Sequence, residues 1–179
     1  MVKVLVFLME GFEEIETVSP IDILRRAGLD VVVASISDSV SVKGRSNIVM
    51  NADVLLSSID PTTIFDCVVV PGGPGTKLLR EHSTVLAMVK GHVEASKKVA
   101  CICAAPTVLH AAGVLPSRYT AHQSVIETIP NILPDSVVID GNIITSRGAG
   151  TAIEFGLKIV QELVGSENAQ KIAAAIHFQ

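Results

Sequence analysis

A short apolar run that breaks directly into a helix pattern places the strongest constraint on this chain. Residues 99–102 are apolar, and Cys103, two alanines and Pro106 follow them. Such a run is too short for a helix and is typical of a buried strand. Pro106 fits the first turn of a helix, where its missing N–H is not needed. The sequence therefore predicts a strand, a tight turn at Cys103 and a helix.

Cys103 lies where such a turn would present a nucleophile. Strand and helix backbones nearly touch there, so small residues are needed two positions before and after it, where Cys101 and Ala105 stand. The positive end of the helix favours a thiolate, so we expect a lowered pKa for Cys103. The alternative interpretation is a buried structural cysteine, since free cysteine is among the most buried residue types.

The composition favours one domain over residues 1–179. Hydrophobic residues make up 49% of the chain, enough for a substantial core. A net charge of −4 and an aromatic content of 3% supply neither a basic surface nor stacking side chains, so we expect no direct nucleic-acid binding. Three cysteines do not form a disulfide framework, and neither a signal peptide nor a membrane-length apolar run is present. We therefore expect a cytoplasmic protein with reduced thiols and no membrane contact.

Short apolar runs alternate with helix patterns along the chain. Strands are predicted at 2–8, 31–35, 66–70, 99–103 and 119–122, with a hairpin or edge excursion at 40–56 and a hairpin at 137–146. A turn at 10–16 leads into a helix that runs to about Ala27, and further helices are predicted at 83–96, from 106 onward, at 151–164 and at 166–176. This alternation predicts an α/β fold with a parallel sheet that is covered on both sides. Such sheets hold their sites beyond the carboxyl ends of the strands.

The helix predicted at 151–164 has two further features. Thr151 and Glu154 have the spacing of a capping box at its start. The apolar residues Ile153, Leu157, Val160 and Val164 are predicted to form its buried face.

Glu16 is a candidate for acid–base chemistry. Helical spacing puts it at the head of an apolar stripe that continues through Pro20, Ile23 and Ala27. A carboxyl on such a stripe is desolvated, so its pKa rises and it can donate a hydrogen bond. The alternative is one more solvated acid beside its acidic neighbours.

Other candidate residues follow the later strands. Gly72 and Gly73 would let a backbone N–H approach another group closely, although a plain turn is the alternative. His122 and Arg147 follow extended segments, although a single histidine is more often structural. Because all of these residues fall at one edge of the predicted sheet with the cysteine and the acid, we interpret that edge as a cysteine-dependent active site. We expect it to use no metal and no cofactor.

Four motifs make the chain similar to a known family. Residues 10–18, 68–73, 100–107 and 145–155 resemble, in the same order, motifs of the DJ-1/ThiJ/PfpI superfamily, and most of all its DJ-1 and YajL branch. The resemblance covers nearly the whole chain. It implies a flavodoxin-like three-layer sandwich with a mostly parallel central sheet, and a homodimer.

The resemblance also implies roles for individual residues. Cys103 matches the reactive cysteine, Glu16 the protonated carboxyl beside its sulfur, and His122 the nearby histidine. Gly73 and Ala104 match the backbone donors of an oxyanion-type pocket. The residues expected to support the pocket are Gly72, Arg147 and Gly148.

The chain departs from the family pattern at several positions. Ala104 stands where the protease-like branch has a histidine, which argues against peptide hydrolysis. Asn51 stands where close relatives have a second regulatory cysteine. The arginine of the family's anion site is displaced to Arg45, with Ser46 in its expected place, and Ala149 replaces a common proline.

From the residues and the resemblance we expect a cysteine-dependent enzyme that converts small reactive dicarbonyls, as a glutathione-independent glyoxalase, or their glycated adducts on proteins and nucleotides, as a deglycase. The alternative is an oxidative-stress sensor or redox-regulated chaperone whose Cys103 is oxidised to a sulfinate. A third interpretation is a cysteine hydrolase of small esters or peptides. The sequence assigns no role to Cys67 or Cys101.

Overall fold

The short β-branched runs form the strands of one sheet. The computed structural model describes residues 1–179. Its strands are β1 (Lys3–Leu8), β2 (Asp30–Ser35), β3 (Ser41–Lys43), β4 (Val49–Asn51), β5 (Val54–Leu55), β6 (Cys67–Val70), β7 (Lys98–Ile102), β8 (Val137–Asp140) and β9 (Ile143–Ser146). Its α-helices are α1 (Glu14–Arg26), α2 (Thr76–Glu81), α3 (Ser83–Glu94), α4 (Pro106–Ala111), α5 (Ala152–Val164) and α6 (Ser166–Ala175).

Seven of the strands form the central sheet, in the order β5-β2-β1-β6-β7-β9-β8. All neighbouring strands are parallel except β8 and β9, which form the predicted antiparallel hairpin. Helices α1, α5 and α6 pack on one another, as do α2, α3 and α4, so the sheet is the middle of three layers. The expected flavodoxin-like α/β sandwich is confirmed. None of the helices combines the length and the apolar character that crossing a bilayer requires.

The order of the central strands brings the candidate residues together. β1 lies between β2 and β6, and β7 lies beside β6, so the connections after β1, β6 and β7 leave the same edge at adjacent places. The direction of strand order changes at β1, which is where ligands bind in open parallel sheets. Glu16, Gly72 and Cys103 belong to these three connections.

A small hairpin crosses the start of α1. The strands β3 and β4 pair antiparallel, which confirms the excursion predicted between residues 40 and 56. The Arg45 N–H donates to the Phe12 carbonyl over 2.9 Å, and the Ser46 N–H donates to Glu14 Oε1 over 2.7 Å. These bonds hold the tip of the hairpin, and with it Arg45, against the carboxyl edge of the sheet.

The brief strand predicted at residues 119–122 is wrong. The Thr120 N–H donates to the Thr145 hydroxyl, and the His122 N–H donates to the Cys103 carbonyl. β8 already occupies that edge of the sheet, so the segment joins no ladder. It acts instead as a strap whose backbone bonds hold the turn at Cys103.

Helix α2 was not predicted from the sequence. It follows Gly73 after only Pro74 and Gly75, both of which favour a turn, and it is six residues long. Leu79 is its fully buried anchor, and α2 packs against α3 and α4. This tertiary packing stabilises a helix too short to be stable alone.

Two predictions about α5 are also wrong. Thr151 makes no side-chain cap, because its hydroxyl pairs with the Ser146 hydroxyl at 2.7 Å and with the backbone of Gly148. Ile153 is 41% exposed and does not belong to the buried face, whereas Leu157 and Val160 do.

Helices α1 and α5 approach one another closely at Gly156. A Cβ there would lie 2.9 Å from Ile23 Cδ1 and 3.2 Å from Pro20 Cα. The two helices therefore pack at a distance that only a residue without a side chain permits.

We expect Gly156→Ala to lower the free energy of unfolding by about 1–2 kcal/mol, because the added methyl must displace Ile23 or the backbone of Pro20. Gly91, inside α3, is a matched control, since a Cβ there meets nothing within 4 Å. Gly91→Ala should raise the free energy of unfolding by about 0.5–1 kcal/mol. Urea titration of the two variants measures the change in the free energy of unfolding for each. A stabilised Gly156→Ala would contradict the packing argument.

Candidate active site

Cys103 occupies a strained turn between β7 and α4. Its φ is +65°, in the left-handed region that side chains rarely adopt. The Cys103 N–H donates to the Ser146 carbonyl at the end of β9, and its carbonyl accepts from the His122 N–H, both over 2.9 Å. The turn is therefore held from two sides, and it directs a half-buried sulfur into a cavity. This geometry is that of a nucleophile elbow.

Glu16 approaches the sulfur from the first turn of α1. The side chain of Glu13 accepts a hydrogen bond from the Glu16 N–H at 2.7 Å and so caps the helix. Glu16 is only 2% exposed. It faces Cys103 and lies over Gly72. The alternative of a solvated surface acid is therefore wrong.

The two glycines after β6 make this approach possible. A Cβ at Gly72 would overlap Glu16 Oε2 and lie 2.6 Å from Cys103 Cβ. Gly73 has φ +106°, and a Cβ there would lie 2.6 Å from both Glu13 N and Gly11 O. The glycines are therefore required, because the carboxyl, the sulfur and three backbone segments meet at this point.

The carboxyl and the thiol shift one another's proton affinity. Burial raises the pKa of Glu16 to about 7, although hydrogen bonding to the Cys103 thiol opposes this rise. The raised pKa predicted for Glu16 is confirmed. Burial, the charge of Glu16 and the hydrogen bond to it raise the pKa of Cys103 to about 12, while the N–H groups of Ala104 and Gly73 lower it.

The lowered pKa predicted for Cys103 is therefore wrong in direction. Helix α4 has only six residues, and its field is outweighed by desolvation and by a carboxyl in contact with the sulfur. The two groups titrate as a pair, and near pH 7 the resting form is a thiol beside a partly ionised carboxyl. A base is thus already in place for the thiol proton.

His122 lies in the same cavity with a defined proton arrangement. The Ser124 N–H donates to its Nδ1 at 3.2 Å, and the Ser124 hydroxyl lies 2.9 Å from the same atom. Because Nδ1 accepts, the ring proton of neutral His122 is on Nε2. The His122 ring has no acidic partner, so the structure does not form a Cys–His–acid triad.

Of the residues expected to support the pocket, the structure brings two to it. Gly72 lies against both Glu16 and Cys103, and Gly148 lies behind the His122 ring, since a Cβ there would be 3.6 Å from His122 Cδ2. Arg147, which follows β9, is exposed and does not line the cavity.

The other two cysteines lie in the core. Cys67 and Cys101 are 0% exposed, and burial raises the pKa of both thiols, that of Cys67 to about 12. Thiols of this kind are chemically inert. No three His, Cys, Asp or Glu side chains cluster as metal ligands would.

Comparisons with known proteins place this geometry in a family. The model of the DJ-1/PfpI family matches residues 2–162. The chain belongs to the DJ-1/PfpI family. It is 39% identical to protein dj-1beta of Drosophila melanogaster over 178 residues, which cover 96% of this chain and 95% of that protein. It is 38% identical to the glutathione-independent glyoxalase DJR-1.2 of Caenorhabditis elegans, over 91% of this chain and 89% of that protein.

Solved structures agree with this membership. Oxidized DJ-1 of Toxoplasma gondii superposes with a TM-score of 0.95 at 39% identity, covering 99% of both chains. Drosophila melanogaster DJ-1beta superposes with a TM-score of 0.94 at 38% identity, covering 99% of this chain and 98% of that chain.

The DJ-1/PfpI cavity of this chain also contains residues that were not singled out from the sequence. It has a volume of about 470 Å³. The additional lining residues are Glu13, Pro74, Thr76, Lys77, Arg80, Thr107, Ser124 and Val125. Three of them, Thr76, Lys77 and Arg80, belong to α2, and because this helix could not be predicted, the sequence offered no signal that would have placed them in the site.

We expect the burial of Glu16 to make this DJ-1/PfpI protein less stable as the pH rises. Glu16 keeps its proton in the folded state up to about pH 7, whereas an ordinary carboxyl loses it near 4.5. The folded state therefore holds more protons between these values, and the stability contributed below pH 4.5 is lost as the pH rises to 7. The loss is on the order of 3 kcal/mol.

Urea titrations at pH 4.5 and pH 8 check this expectation. The free energy of unfolding of Glu16→Gln, relative to that of the wild type, should increase by about 3 kcal/mol between the two pH values. Glu127→Gln, at an exposed position, is the control and should show no such trend. An equal pH dependence in the wild type and Glu16→Gln would show that Glu16 ionises normally.

Proposed function

We propose that this protein is a glutathione-independent, cysteine-dependent enzyme acting on small reactive dicarbonyls or their glycated adducts. The observation that carries the proposal is the contact between the Cys103 thiol and a carboxyl whose pKa is about 7. This pair supplies a nucleophile and its base in one cavity. The similarity to the Caenorhabditis elegans relative, which is named a glutathione-independent glyoxalase, supports the same chemistry.

The first step is addition of the sulfur to an aldehyde carbon. As the C–S bond forms, the thiol proton passes to the Glu16 carboxylate, so no free thiolate is needed beforehand. The carbonyl oxygen becomes an alkoxide. The N–H groups of Gly73 and Ala104, which already act on the sulfur, are the donors that hold this oxygen.

The following steps redistribute hydrogen within the substrate. Glu16 returns its proton to the alkoxide, which becomes a hydroxyl. Glu16 then removes the C–H proton of the former aldehyde carbon and delivers it to the neighbouring ketone carbon, while the hydroxyl proton passes to the former ketone oxygen. The former aldehyde carbon becomes a thioester carbonyl and the former ketone becomes an alcohol. His122 Nε2–H stabilises the enediolate oxygen. The aldehyde carbon is oxidised and the ketone carbon reduced, so no external oxidant is required. Water then cleaves the thioester, releasing a 2-hydroxy acid and the free thiol.

The same adduct chemistry covers glycated amines. In a hemiaminal the C–N bond breaks as the C–S bond to Cys103 forms, and the thiol proton passes through Glu16 to the departing amine nitrogen. The remaining steps are unchanged. Glyoxalase and deglycase assays therefore report overlapping reactions. A cysteine hydrolase is not supported, because His122 has a serine and no acid as its partner.

Cys103→Ala should abolish conversion of methylglyoxal in buffer free of metal and glutathione, because no sulfur is left to form the adduct. Wild-type kcat/KM should rise with pH through about 7 as Glu16 ionises, and Glu16→Gln should be at least about a hundredfold slower and lose this inflection. Cys67→Ala removes a buried thiol and is the control. Wild-type rates in Cys103→Ala, measured as lactate formed, would refute the proposal.

A second function, sensing of peroxide, is favoured by one further observation. Glu16 Oε2 is buried and has no hydrogen-bond partner, and it lies beside Cys103. A protonated carboxyl there can donate to one oxygen of a sulfinate formed on the sulfur. In this role, or as a redox-regulated chaperone, the protein would need no turnover.

Mild peroxide treatment followed by intact-mass and peptide analysis tests the sensing function. A gain of two oxygens confined to Cys103, the mass of a sulfinate, is expected. In Glu16→Gln the sulfinate should be oxidised more readily to a sulfonate. Oxidation spread equally over Cys67, Cys101 and Cys103 would exclude it.

We also propose that the protein is a homodimer and cytoplasmic. Four large apolar side chains are 49–58% exposed near the start of α1 and on the adjacent hairpin, namely Ile15, Val18, Ile48 and Val49. A contiguous exposed apolar patch is typical of a protein interface. Three free cysteines fit a reducing compartment.

One chain has a mass of 18.8 kDa, and sedimentation at micromolar concentration should give twice this mass. Val18→Asp should shift the mass to that of the monomer, because a charge would be buried without a partner. Leu78→Asp, at an exposed position on α2, is the control and should remain a dimer. A monomeric wild type would exclude the dimer.

A further inference from the structure

We propose that the cavity selects substrates carrying an anionic group, a carboxylate or a phosphate, a few bonds from the reactive carbonyl, and that Lys77 and Arg80 bind this group. The identity of the reacting carbonyl rests on the proposed function. Binding of the anion does not rest on the proposed function, because it requires only the charges that line the cavity.

The cavity is positively charged within a negatively charged protein. The chain has 18 acidic and 14 basic residues, yet three bases line this one cavity, namely Arg45, Lys77 and Arg80. The only acidic side chains in the lining are Glu13 and Glu16. Glu13 is engaged with the Glu16 N–H at the start of α1, and the raised pKa of Glu16 leaves it partly neutral near pH 7. Positive charge therefore prevails.

Two of these three bases have no ion-pair partner, and the third has only a distant one. Arg25, Arg26, Lys97 and Lys98 each lie within 2.6–2.9 Å of a carboxylate oxygen. Neither Arg45 nor Arg80 takes part in any ion pair. Lys77 reaches only Glu81, at 3.9 Å between two exposed side chains, and such pairs contribute little. The cations are thus available to a ligand.

The fold fixes these cations relative to the oxyanion donor. Lys77 and Arg80 are three residues apart on α2, and the helix begins directly after Gly73. The Thr76 N–H and hydroxyl donate to the Gly73 carbonyl over 3.1 and 2.7 Å, which ties the first turn of α2 to Gly73. A ligand whose carbonyl oxygen meets the Gly73 N–H therefore sits at the end of the cavity where α2 begins, in the same cavity that Lys77 and Arg80 line.

The size of the cavity supports an extended ligand. A volume of about 470 Å³ is within the range that holds ligands much larger than a three-carbon dicarbonyl. Methylglyoxal would reach the sulfur but leave Lys77 and Arg80 without contact. A dicarbonyl acid or a phosphorylated ketoaldehyde would fill the space between the sulfur and α2 and neutralise the cations.

Matched alkylating reagents test anion binding without any turnover. Iodoacetate and iodoacetamide react with Cys103 by the same displacement of iodide and differ mainly in charge. In the wild type, the ratio of the iodoacetate rate to the iodoacetamide rate should be about tenfold higher than in the Lys77→Met/Arg80→Met double variant. Lys90→Met/Lys171→Met has the same net charge but is altered far from the cavity, and it should keep the wild-type ratio.

Ionic strength supplies a second measurement on the same proteins. The wild-type ratio should fall between about 0.01 M and about 1 M salt, as the Debye length shrinks from about 30 to about 3 Å, and the ratio of the double variant should change much less. Equal ratios in the wild type and the double variant would overturn the proposal. A ratio in the Lys90→Met/Lys171→Met control as low as that of the Lys77→Met/Arg80→Met variant would also overturn it, because the effect would then follow net charge and not the cavity.

Competition and turnover distinguish the two anions. Stronger protection of Cys103 from iodoacetamide by inorganic phosphate than by acetate indicates a phosphorylated substrate, the reverse order indicates a carboxylate, and protection by neither at about 0.1 M overturns the proposal. If the protein turns over dicarbonyls, kcat/KM for 4,5-dioxopentanoate should exceed that for its methyl ester in the wild type but not in the double variant. An anion preference in alkylation without turnover would refute the proposed function and leave this inference intact.

Discussion

The close contact of a carboxyl with a thiol, in a place that water hardly reaches, is the constraint on which the rest of the structure depends. Neither group can ionise there as it would in water: burial raises the pKa of both, and Glu16 raises the pKa of Cys103 further. The contact exists because Gly72 has no side chain between them. Since β1, β6 and β7 are neighbours in the sheet, three separate connections can deliver Glu16, Gly72 and Cys103 to one point.

The chemistry follows from where the proton rests. A free thiolate would be reactive toward any electrophile, whereas a thiol that loses its proton only during attack reacts when a carbonyl is held in place. The backbone donors at Gly73 and Ala104 lower the energy of negative charge on either sulfur or oxygen. The same arrangement can therefore hold a hemithioacetal oxyanion or an oxidised sulfur, which is why one site supports two functional hypotheses. In our proposal, Lys77 and Arg80 on α2 add selectivity for anionic over neutral ligands.

Much of this could be predicted from the sequence, because local patterns dictate it. The β-branched runs, the turn at Cys103 and the adjacent glycines each impose their own backbone geometry. The helix α2 could not be predicted, since its six residues are stabilised by packing on other helices. The direction of the Cys103 pKa could not be predicted either, because it is a balance between a helix end and desolvation that only the three-dimensional structure determines.

The strap at residues 119–122 shows a similar limit. Its composition is that of a strand, but the edge of the sheet was already taken by β8. Its backbone therefore bonds to the turn at Cys103, and this placement brings His122 and Ser124 into the cavity. Sequence patterns describe what a segment prefers, whereas competition among segments decides which partner it finds.

The left-handed backbone at Cys103 has a consequence for recognising related centres. A residue with a side chain costs about 1–2 kcal/mol more than glycine in this conformation. A chain that nevertheless keeps a side chain at the carboxyl end of a central strand gives up stability for the direction in which that side chain points. Reactive centres in distantly related proteins with such a sheet should thus be found by scanning their backbones. The feature to search for is a non-glycine residue with positive φ at the carboxyl end of a central strand, even where the surrounding motifs have diverged.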